Sequence, residues 1–245
     1  MEFRVYLRYI ALLSILMCSA FGTKGECKQS PYTAQVLFPE RAQKALLFNR
    51  QHLDLLNYLI VMRGYKSYLE IGVADGHNLS SVAASHKVGV DPSPAPNTSP
   101  IHRMTSDEFF NMNHEMFDLI FIDGLHLHEQ VLKDVENSLK CLNPGGLIVM
   151  HDCMPNTPEQ QLRTPVPGAW NGDVWKAVAY MRMHLEDVDL CVLDMDWGCG
   201  ILTPNSHQTL IPELPISNMD WDYYAKNKQQ VLNVKSVEEW VKNFQ

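Results

Sequence analysis

Three things are scarce in this sequence of 245 residues: long apolar runs, positive charge and cysteine. No stretch of 18 or more residues is apolar throughout, which excludes a bundle of membrane-spanning helices. Lys and Arg number 20 against 28 Asp and Glu, which argues against binding nucleic acid through general electrostatics. Six cysteines are too few for a disulfide scaffold. The apolar share of 46% excludes a wholly disordered chain and is sufficient for a large core.

The first 22 residues have the pattern of a secretory signal peptide. Arg4 and Arg8 precede an almost purely apolar run over residues 9–22, which ends in the small residues Ala20 and Gly22. As a helix this run would be about 21 Å long, too short to span a bilayer. We therefore predict a signal peptide over residues 1–22 and a protein in the secretory pathway or secreted. The alternatives are an uncleaved membrane anchor, with the domain in the cytoplasm, and a buried N-terminal helix.

The rest of the chain alternates short apolar strands with helical patterns, which predicts an α/β fold with a doubly wound, mostly parallel sheet. An irregular lead-in (23–39) precedes a domain over residues 40–211, and a C-terminal extension (212–245) ends in a short helix capped by Ser236. Residues 40–64 are predicted to form one helix. The last two strands, at 188–193 and 200–203, are too close in sequence for a helical crossover and should pair antiparallel. The predicted strands cover residues 67–71, 87–90, 101–104, 117–122, 147–150, 188–193 and 200–203.

The first candidate site is a strand that runs into a glycine turn, Glu70-Ile-Gly72-Val-Ala-Asp75-Gly76. Glycine permits close approach of a ligand, and the following helix N-terminus adds partial positive charge. The spacing differs from the G-x-G-x-x-G pattern of dinucleotide sites, and the acid before it suits an ammonium group. Asp91 follows nineteen residues after Gly72, at the end of the next strand, where an acid can bind both ribose hydroxyls. A tight turn without any ligand is the alternative interpretation.

Two further sites follow successive strands: Asp123 and His126 in FIDGLH, and His151 and Asp152 in VMHDC. Ligands in open α/β sheets bind outside the carboxyl ends of the strands. If the two strands are neighbours, two acids and two imidazoles converge there, as ligands of a divalent ion or as general acid–base groups. A helix cap or a loop contact would explain each residue taken singly.

The fourth candidate feature is the segment Trp170-Asn171-Gly172-Asp173, where a predicted loop ends and the next predicted helix begins. Asp173 is a suitable N-cap for the helix that follows it. The functional alternative is a loop that folds over the pocket, with Trp170 as a flat apolar wall and Asp173 in contact with the substrate.

Taken together, the ordered motifs YLEIGVADG, KVGVD, MTSDEFF, FDLIFIDGLH, NPGGLIVMHD and GDVWKAV resemble a class I S-adenosylmethionine-dependent methyltransferase over residues 40–205. The resemblance is to the small-molecule branch with D-G-x-H and H-D motifs. It implies a Rossmann-like sheet of seven strands with the last strand antiparallel, and a small-molecule acceptor.

The resemblance also implies roles for individual residues. The methionine part of the cofactor would lie against Glu70, Gly72 and Gly76, and its ribose against Asp91. Its adenine would lie against Ser106 or Asp107, and Asp123 would also contact the cofactor. In related O-methyltransferases the acid matching Asp123 binds a divalent cation such as Mg²⁺ or Ca²⁺. An Asp-Asn pair often follows there, whereas this chain has His151-Asp152, which puts the metal and its preference in question.

The residues therefore predict methyl transfer to an acceptor oxygen. Asp123, His151 and Asp152 would hold a metal that lowers the pKa of the acceptor hydroxyl. Without a metal, His151 or His126 would act as the general base. One alternative is a cofactor-binding protein without catalysis. Another is a metal-dependent oxygenase that uses His126, His151 and Asp123 as a two-His, one-carboxylate set. The sequence specifies neither the acceptor nor the oligomeric state.

Overall fold

The computed structural model describes residues 38–96, 98 and 101–244. The predicted signal peptide and nearly all of the lead-in lie outside the described residues. Within them the strands are β1 (Ser67–Ile71), β2 (His86–Val90), β3 (Ile101–His102), β4 (Phe117–Ile122), β5 (Leu142–Met150), β6 (Val188–Leu193), β7 (Cys199–Pro204) and β8 (Val234–Lys235). They form one sheet in the order β3-β2-β1-β4-β5-β7-β6-β8.

The helices connect these strands and flank the sheet. They are α1 (Pro39–Asn49), α2 (His52–Arg63), α3 (His77–Ser81), α4 (Ser106–Met112), α5 (His128–Lys140), α6 (Val174–His184), α7 (Trp221–Val231) and α8 (Val237–Asn243). The predicted single helix over 40–64 is wrong, because Arg50 is left-handed at φ 55° and separates α1 from α2. The predicted cap of the last helix is confirmed, since the Ser236 side chain accepts from the backbone N–H of Glu239. In the described ranges, no helix combines the length and the apolar character needed to cross a membrane.

The doubly wound, mostly parallel sheet is confirmed, and β7 is the antiparallel strand, paired with both β5 and β6. The residues between β6 and β7 are too few for a crossover helix, so the chain reverses directly. The prediction of seven strands is wrong by one. Val234 and Lys235 of the extension add β8 parallel to β6, and a strand this short has no detectable periodicity. The boundary at residue 211 stays a prediction.

Two apolar layers lie on the two faces of the sheet, as β4 illustrates. Leu119 and Phe121 pack into the layer beneath α1, α2 and α8, whereas Ile120 and Ile122 pack into the layer beneath α5, α6 and α7. A strand buried on both faces is apolar at consecutive positions, as residues 119–122 of β4 are. The four cysteines among the described residues are free and buried: Cys141, Cys153, Cys191 and Cys199.

The strand order reverses between β1 and β4, which are parallel neighbours with Ile71 opposite Ile122 at their carboxyl ends. In doubly wound sheets a ligand crevice opens at such a reversal, outside the carboxyl ends of the strands. Gly72 and Asp123 directly follow these two residues. The topology therefore places the first two candidate sites side by side.

Candidate active site

The turn after β1 depends on Gly72, whose φ is +86°. A Cβ atom there would overlap the backbone carbonyl of Asp123. The Asp123 N–H also donates to the Ile71 carbonyl, with N and O 2.8 Å apart. Glycine therefore allows the end of β4 to lie directly against the turn after β1.

A cavity of about 480 Å³ opens at the carboxyl ends of β1, β2 and β4. This volume lies within the usual range of small-molecule sites. Its lining includes five of the predicted cofactor residues, namely Gly72, Asp91, Ser106, Asp107 and Asp123. It also includes Gln130, which the sequence analysis did not single out.

Asp91 holds the glycine turn through backbone hydrogen bonds. Its Oδ2 accepts from the N–H groups of Val73 and Ala74, each at 2.9 Å, and its Oδ1 accepts from Ser93 N at 2.7 Å. A carboxylate bound by backbone donors has a fixed position. The acid at the end of β2 therefore both shapes the turn and lines the cavity.

Glu70 lies behind the cavity and is not part of its lining. Side chains alternate along a strand, so Glu70 shares a face with Tyr68, whose hydroxyl donates to Glu70 Oε2 at 2.6 Å. Glu70 is 1% exposed, and burial raises its pKa to about 8. Gly76 also lies outside the lining, at the start of α3 against the Thr98 side chain. Of the three residues predicted to contact the methionine part, Gly72 therefore lines the cavity, whereas Glu70 and Gly76 do not.

Gln130 of α5 connects the residues at the far end of the cavity. Its Nε2 lies 3.2 Å from Ser106 Oγ, 3.0 Å from Asp107 Oδ1 and 3.1 Å from Asp134 Oδ1. Burial raises the pKa of Asp134 to about 6. A polar residue on an amphipathic helix carries no signal of such a role, which is why the sequence did not reveal it.

Asp123, His126, His151 and Asp152 form a group that we call the strand-end cluster. Because β4 and β5 are parallel neighbours, their carboxyl ends meet. His126 Nε2 lies 3.4 Å from both Asp123 Oδ1 and Asp152 Oδ2. His151 Nδ1 lies 3.4 Å from the same two oxygens. The structure thus brings together the four residues that the sequence placed at successive strand ends.

Charge and burial act against each other in this cluster. Burial by itself would lower the pKa of His151, but Asp123 and two further carboxylates outweigh it and hold that pKa well above its ordinary value. Burial would likewise raise the pKa of Asp123, but His151 and His126 hold it well below its usual range. The pKa of His126 is raised, because the same carboxylates outweigh its burial. Both ring nitrogens of His151 are buried without a hydrogen-bond partner among the described residues.

Three residues that the sequence analysis missed support the cluster from outside. Asn171 Nδ2 donates to Asp152 Oδ1 at 2.7 Å. Asp196 Oδ2 lies 3.6 Å from His151 Nε2, and His52 Nδ1 lies 2.6 Å from the same oxygen. These residues come from three distant segments of the chain, so no local spacing could have identified them.

The loop that carries Trp170 packs against the cluster. The Trp170 carbonyl accepts a hydrogen bond from His126 Nδ1 at 2.8 Å, and the two rings stack with centroids 4.9 Å apart. Gly172 has φ +58°, and a Cβ there would overlap the His126 carbonyl. Because a carbonyl only accepts, His126 Nδ1 carries a proton and its Nε2 faces the carboxylates.

Asp173 has a different role from the two that the sequence suggested. It occupies the N-cap position of α6 without a side-chain capping bond. Its Oδ1 accepts from His128 N at 2.9 Å, and its Oδ2 contacts Arg163 Nη1 at 2.7 Å and His128 Nδ1 at 2.8 Å. Burial alone would raise the pKa of Asp173, but the contacts with His128 and Arg163 outweigh it and lower this pKa to about 2. Both oxygens bond within the protein and Asp173 is 1% exposed, so the structure gives it a structural position and no open face for a substrate.

Comparisons with known proteins agree with this architecture. Residues 69–153 match a family model described as a methyltransferase domain. The fold is similar to that of a candidate caffeoyl-CoA O-methyltransferase from Staphylococcus aureus, with TM-score 0.51, 20% identity and coverage of 68% of this chain and 91% of that one. No curated protein matches the chain.

Two other solved structures have the same fold. The O-methyltransferase TomG from Streptomyces achromogenes, solved with SAM, has TM-score 0.51, 14% identity and coverage of 73% of this chain and 92% of its own. A methyltransferase from Podospora anserina, solved with SAH, has TM-score 0.50, 15% identity and coverage of 82% and 96%. Residues 69–153 thus match a methyltransferase domain, and the chain shares the fold of solved methyltransferases, in agreement with the resemblance of its motifs.

Proposed function

We propose that this protein transfers a methyl group from S-adenosylmethionine to a hydroxyl oxygen of a small-molecule acceptor. The observation that carries the proposal is the position of Asp123. This residue lines the cavity and, through His126 and His151, also belongs to the strand-end cluster. A cofactor site and a set of acid–base groups therefore share one side chain.

The cavity suits the proposed cofactor by charge and size. Asp91 would bind the ribose hydroxyls, Ser106 and Asp107 would contact the adenine, and Gly72 would allow close approach of the methionine part. Glu70 would act from beneath the turn, since it does not line the cavity. When bound, S-adenosylmethionine supplies an activated methyl group on a positively charged sulfur. The relatives solved with SAM or SAH support this choice.

His126 is the proposed general base. Its Nδ1 is committed to the Trp170 carbonyl, so Nε2 is the nitrogen that can take the acceptor proton. The hydroxyl oxygen would lose that proton as it attacks the methyl carbon, and the carbon–sulfur bond would break. The imidazolium that forms would lie beside two carboxylates, Asp123 and Asp152, which stabilise its charge. The Trp170 ring, stacked on His126, would form an apolar wall for the acceptor.

The residues also fit a divalent cation. Donor atoms of Asp123, His151 and Asp152 all lie within 4.8 Å of one another. Among the described residues, the buried ring nitrogens of His151 have no hydrogen-bond partner. These three residues would hold the ion, which would lower the pKa of the acceptor hydroxyl. Because the set contains an imidazole, it favours transition ions over the Mg²⁺ or Ca²⁺ that an all-oxygen site would prefer.

The N-terminal pattern supports a location in the secretory pathway, with cleavage near Gly22. Expression of the full chain in secreting cells, followed by N-terminal sequencing of the protein, tests this. A mature chain that begins close to residue 23 would support it, and an intact Met1 would contradict it.

Calorimetric titration of the purified protein with S-adenosylmethionine, with and without divalent ions, tests the main proposal. We expect binding, followed by transfer of a labelled methyl group to members of a panel of hydroxylated small molecules. Absence of binding under every metal condition would overturn the proposal. Binding without transfer to any member would favour the non-catalytic alternative, and co-purified iron would favour the oxygenase.

A further inference from the structure

The loop between β5 and α6 is hydrogen-bonded largely within itself. We call residues 156–171 the cover loop. In the part of the chain that the structure describes, its three backbone–backbone hydrogen bonds all join two of its own residues, as between the Asn171 N–H and the Gln160 carbonyl at 2.9 Å. The Trp170 indole adds an internal bond to the Leu162 carbonyl at 2.6 Å. A loop bonded in this way can move as one unit against the domain.

The inner side of the cover loop lies on the strand-end cluster. The Trp170 ring stacks on His126, and Asn171 donates to Asp152. Asn171 is 0% exposed, and the side chains of His126 and Asp152 are 17% and 11% exposed. The cavity at the carboxyl ends of the strands includes Asp123 but neither His126 nor Asp152. An acceptor at His126 Nε2 would therefore need space beyond this cavity, on the side where the cover loop lies.

A charged side chain of the cover loop joins it to the domain. Arg163 Nη1 donates to Asp173 Oδ2 at 2.7 Å and to Glu129 Oε2 at 3.1 Å. Asp173 is the N-cap residue of α6, and Glu129 lies in the first turn of α5. The Asp173 side chain is 2% exposed, whereas that of Glu129 is 56% exposed. Because exposed ion pairs contribute little to stability, the bond to the buried Asp173 is the stronger attachment.

This attachment can be released without leaving a buried charge alone. When Arg163 moves away, Asp173 keeps its contacts with the backbone N–H and the Nδ1 atom of His128, at 2.9 and 2.8 Å. The Arg163 side chain is already 49% exposed, so water can solvate its guanidinium. A second attachment is neutral, since Gln161 Oε1 accepts from Trp175 Nε1 at 2.9 Å. Side chains, which can exchange partners, therefore hold the loop in place.

We infer that residues 156–171 form a lid over the strand-end cluster, and that Arg163 is the positioning residue that latches this lid closed through Asp173. With the latch closed, the lid keeps Trp170 against His126. With the latch open, a small molecule gains access to His126 Nε2, as lids commonly allow. The role in acceptor access rests on the proposed function. The latch itself rests on the contacts of Arg163 and is testable without cofactor, metal or acceptor.

The first readout is the solvent exposure of the Trp170 ring in the full chain. The five tryptophans of the chain are labelled as 5-fluorotryptophan, and their ¹⁹F NMR signals are compared in H₂O and D₂O. The shift between the two solvents is large for an exposed indole and small for a covered one. Trp170→Phe identifies the Trp170 signal, and Trp240 of α8 is the internal reference.

Arg163→Met removes the guanidinium and keeps an unbranched side chain. Because a hydrogen bond between charged groups is lost, the ratio of open to closed lid should rise by about tenfold or more. The Trp170 signal should then gain the solvent shift of an exposed indole, whereas the Trp240 signal should not change. Arg163→Lys keeps a charge that can bond to one partner, so it should restore part of the closed state.

Arg50→Met is the matched control. It removes an arginine of similar side-chain exposure, 46% against 49%, together with its ion pair to Glu238 of α8. Because this pair lies outside the cover loop, the solvent shift of the Trp170 signal should stay as in the wild type.

The second readout is cleavage by chymotrypsin after Leu162, an exposed residue of the loop. The cleavage rate follows the population of the open form when opening is fast, so it should rise by the same factor in Arg163→Met. The affinity for S-adenosylmethionine should not change, because Arg163 does not line the cavity. If Arg163→Met does not fold, Glu129→Gln removes only the charge of the exposed partner and should open the lid to a smaller extent.

A Trp170 signal that is the same in the wild type and in every folded latch variant would overturn the inference. Equal changes at all five tryptophans would also overturn it, because they would show a general loosening of the fold. A lid that opens in Arg163→Met, in a protein that methylates no acceptor, would support the latch and contradict the proposed function. The two failures are therefore distinguishable.

Discussion

The cavity and the strand-end cluster both contain carboxylates at the same edge of the sheet, but these carboxylates contact different kinds of group. In the cavity, Asp91 accepts hydrogen bonds from backbone N–H groups of the adjoining turn and loop. In the cluster, Asp123 and Asp152 meet the imidazoles of His126 and His151. The first arrangement uses backbone donors that cannot release a proton, whereas the second uses imidazoles, which can gain and lose one.

Under the proposed function, this difference separates a region that would hold the cofactor from a region that would take part in proton transfer. Backbone donors fix the shape of the Gly72 turn without changing its charge. Paired imidazoles and carboxylates can accept a proton or a cation with little movement. Asp123 belongs to both regions, so a bound cofactor and the acid–base groups would be coupled through a single side chain.

The largest effect should come from Gly72→Ala, which removes the close approach that joins the two regions. Its Cβ would overlap the Asp123 backbone, so we expect a loss of about 3 kcal/mol or more in unfolding free energy and no detectable cofactor binding. Gly64→Ala is the matched control. Gly64 also has a positive φ, +66°, but among the described residues no atom beyond its chain neighbours lies within 4 Å of a Cβ placed there. This substitution should cost about 1–2 kcal/mol and leave binding intact. Urea unfolding and calorimetry measure both, and equal effects would contradict the proposed contact.

A pair of isosteric variants should separate the two regions. Asp91→Asn should abolish most of the cofactor affinity. Asp152→Asn should leave that affinity intact and slow methyl transfer by about 10²-fold or more, the usual contribution of acid–base groups. Calorimetry and single-turnover transfer measure the two quantities. If both variants lost cofactor binding equally, the division into two regions would be wrong.

Gln130→Met tests the far end of the cavity. It removes the amide that connects Ser106 and Asp107 while it keeps the length of the side chain. Loss of such hydrogen bonds should weaken cofactor binding by about tenfold or less, without changing the rate of transfer at saturating cofactor. A fall in that rate with unchanged affinity would place Gln130 in the reacting region instead.

A further effect, on stability alone, should be a pH dependence that originates at Glu70. Burial raises its pKa to about 8 in the folded protein, from an ordinary value of 4.5. The folded state therefore binds more protons between these values, and the stabilisation is lost as pH rises through the folded pKa. In the wild type the free energy of unfolding should decrease by an amount on the order of 2 kcal/mol between pH 5 and pH 8. Glu70→Gln should remove this decrease. Urea unfolding at both values measures it, and identical slopes in the two proteins would show that Glu70 is ionised in the folded state.

Local sequence patterns are sufficient to predict the sheet and the edge of the sheet at which the candidate site lies. Strands buried on both faces are apolar at consecutive positions, the Gly72 turn follows its strand directly, and parallel strands end at one edge. These are local patterns combined with a general rule of topology. These patterns predict that Asp91, Asp123 and His151 lie at the ends of strands.

The contacts between side chains at this edge depend instead on how distant segments pack together. His52, Asn171 and Asp196 reach the strand-end cluster from segments far apart in the chain, and Asp196 turns inward only because its backbone is left-handed. Glu70 and Asp173 have suitable residue types and positions, but neither lines the cavity. Strand alternation places Glu70 beside Tyr68, and the Asp173 carboxylate bonds to His128 and Arg163. The spacing of residues along the sequence indicates the element to which a residue belongs. The direction of its side chain depends on how the elements pack against one another.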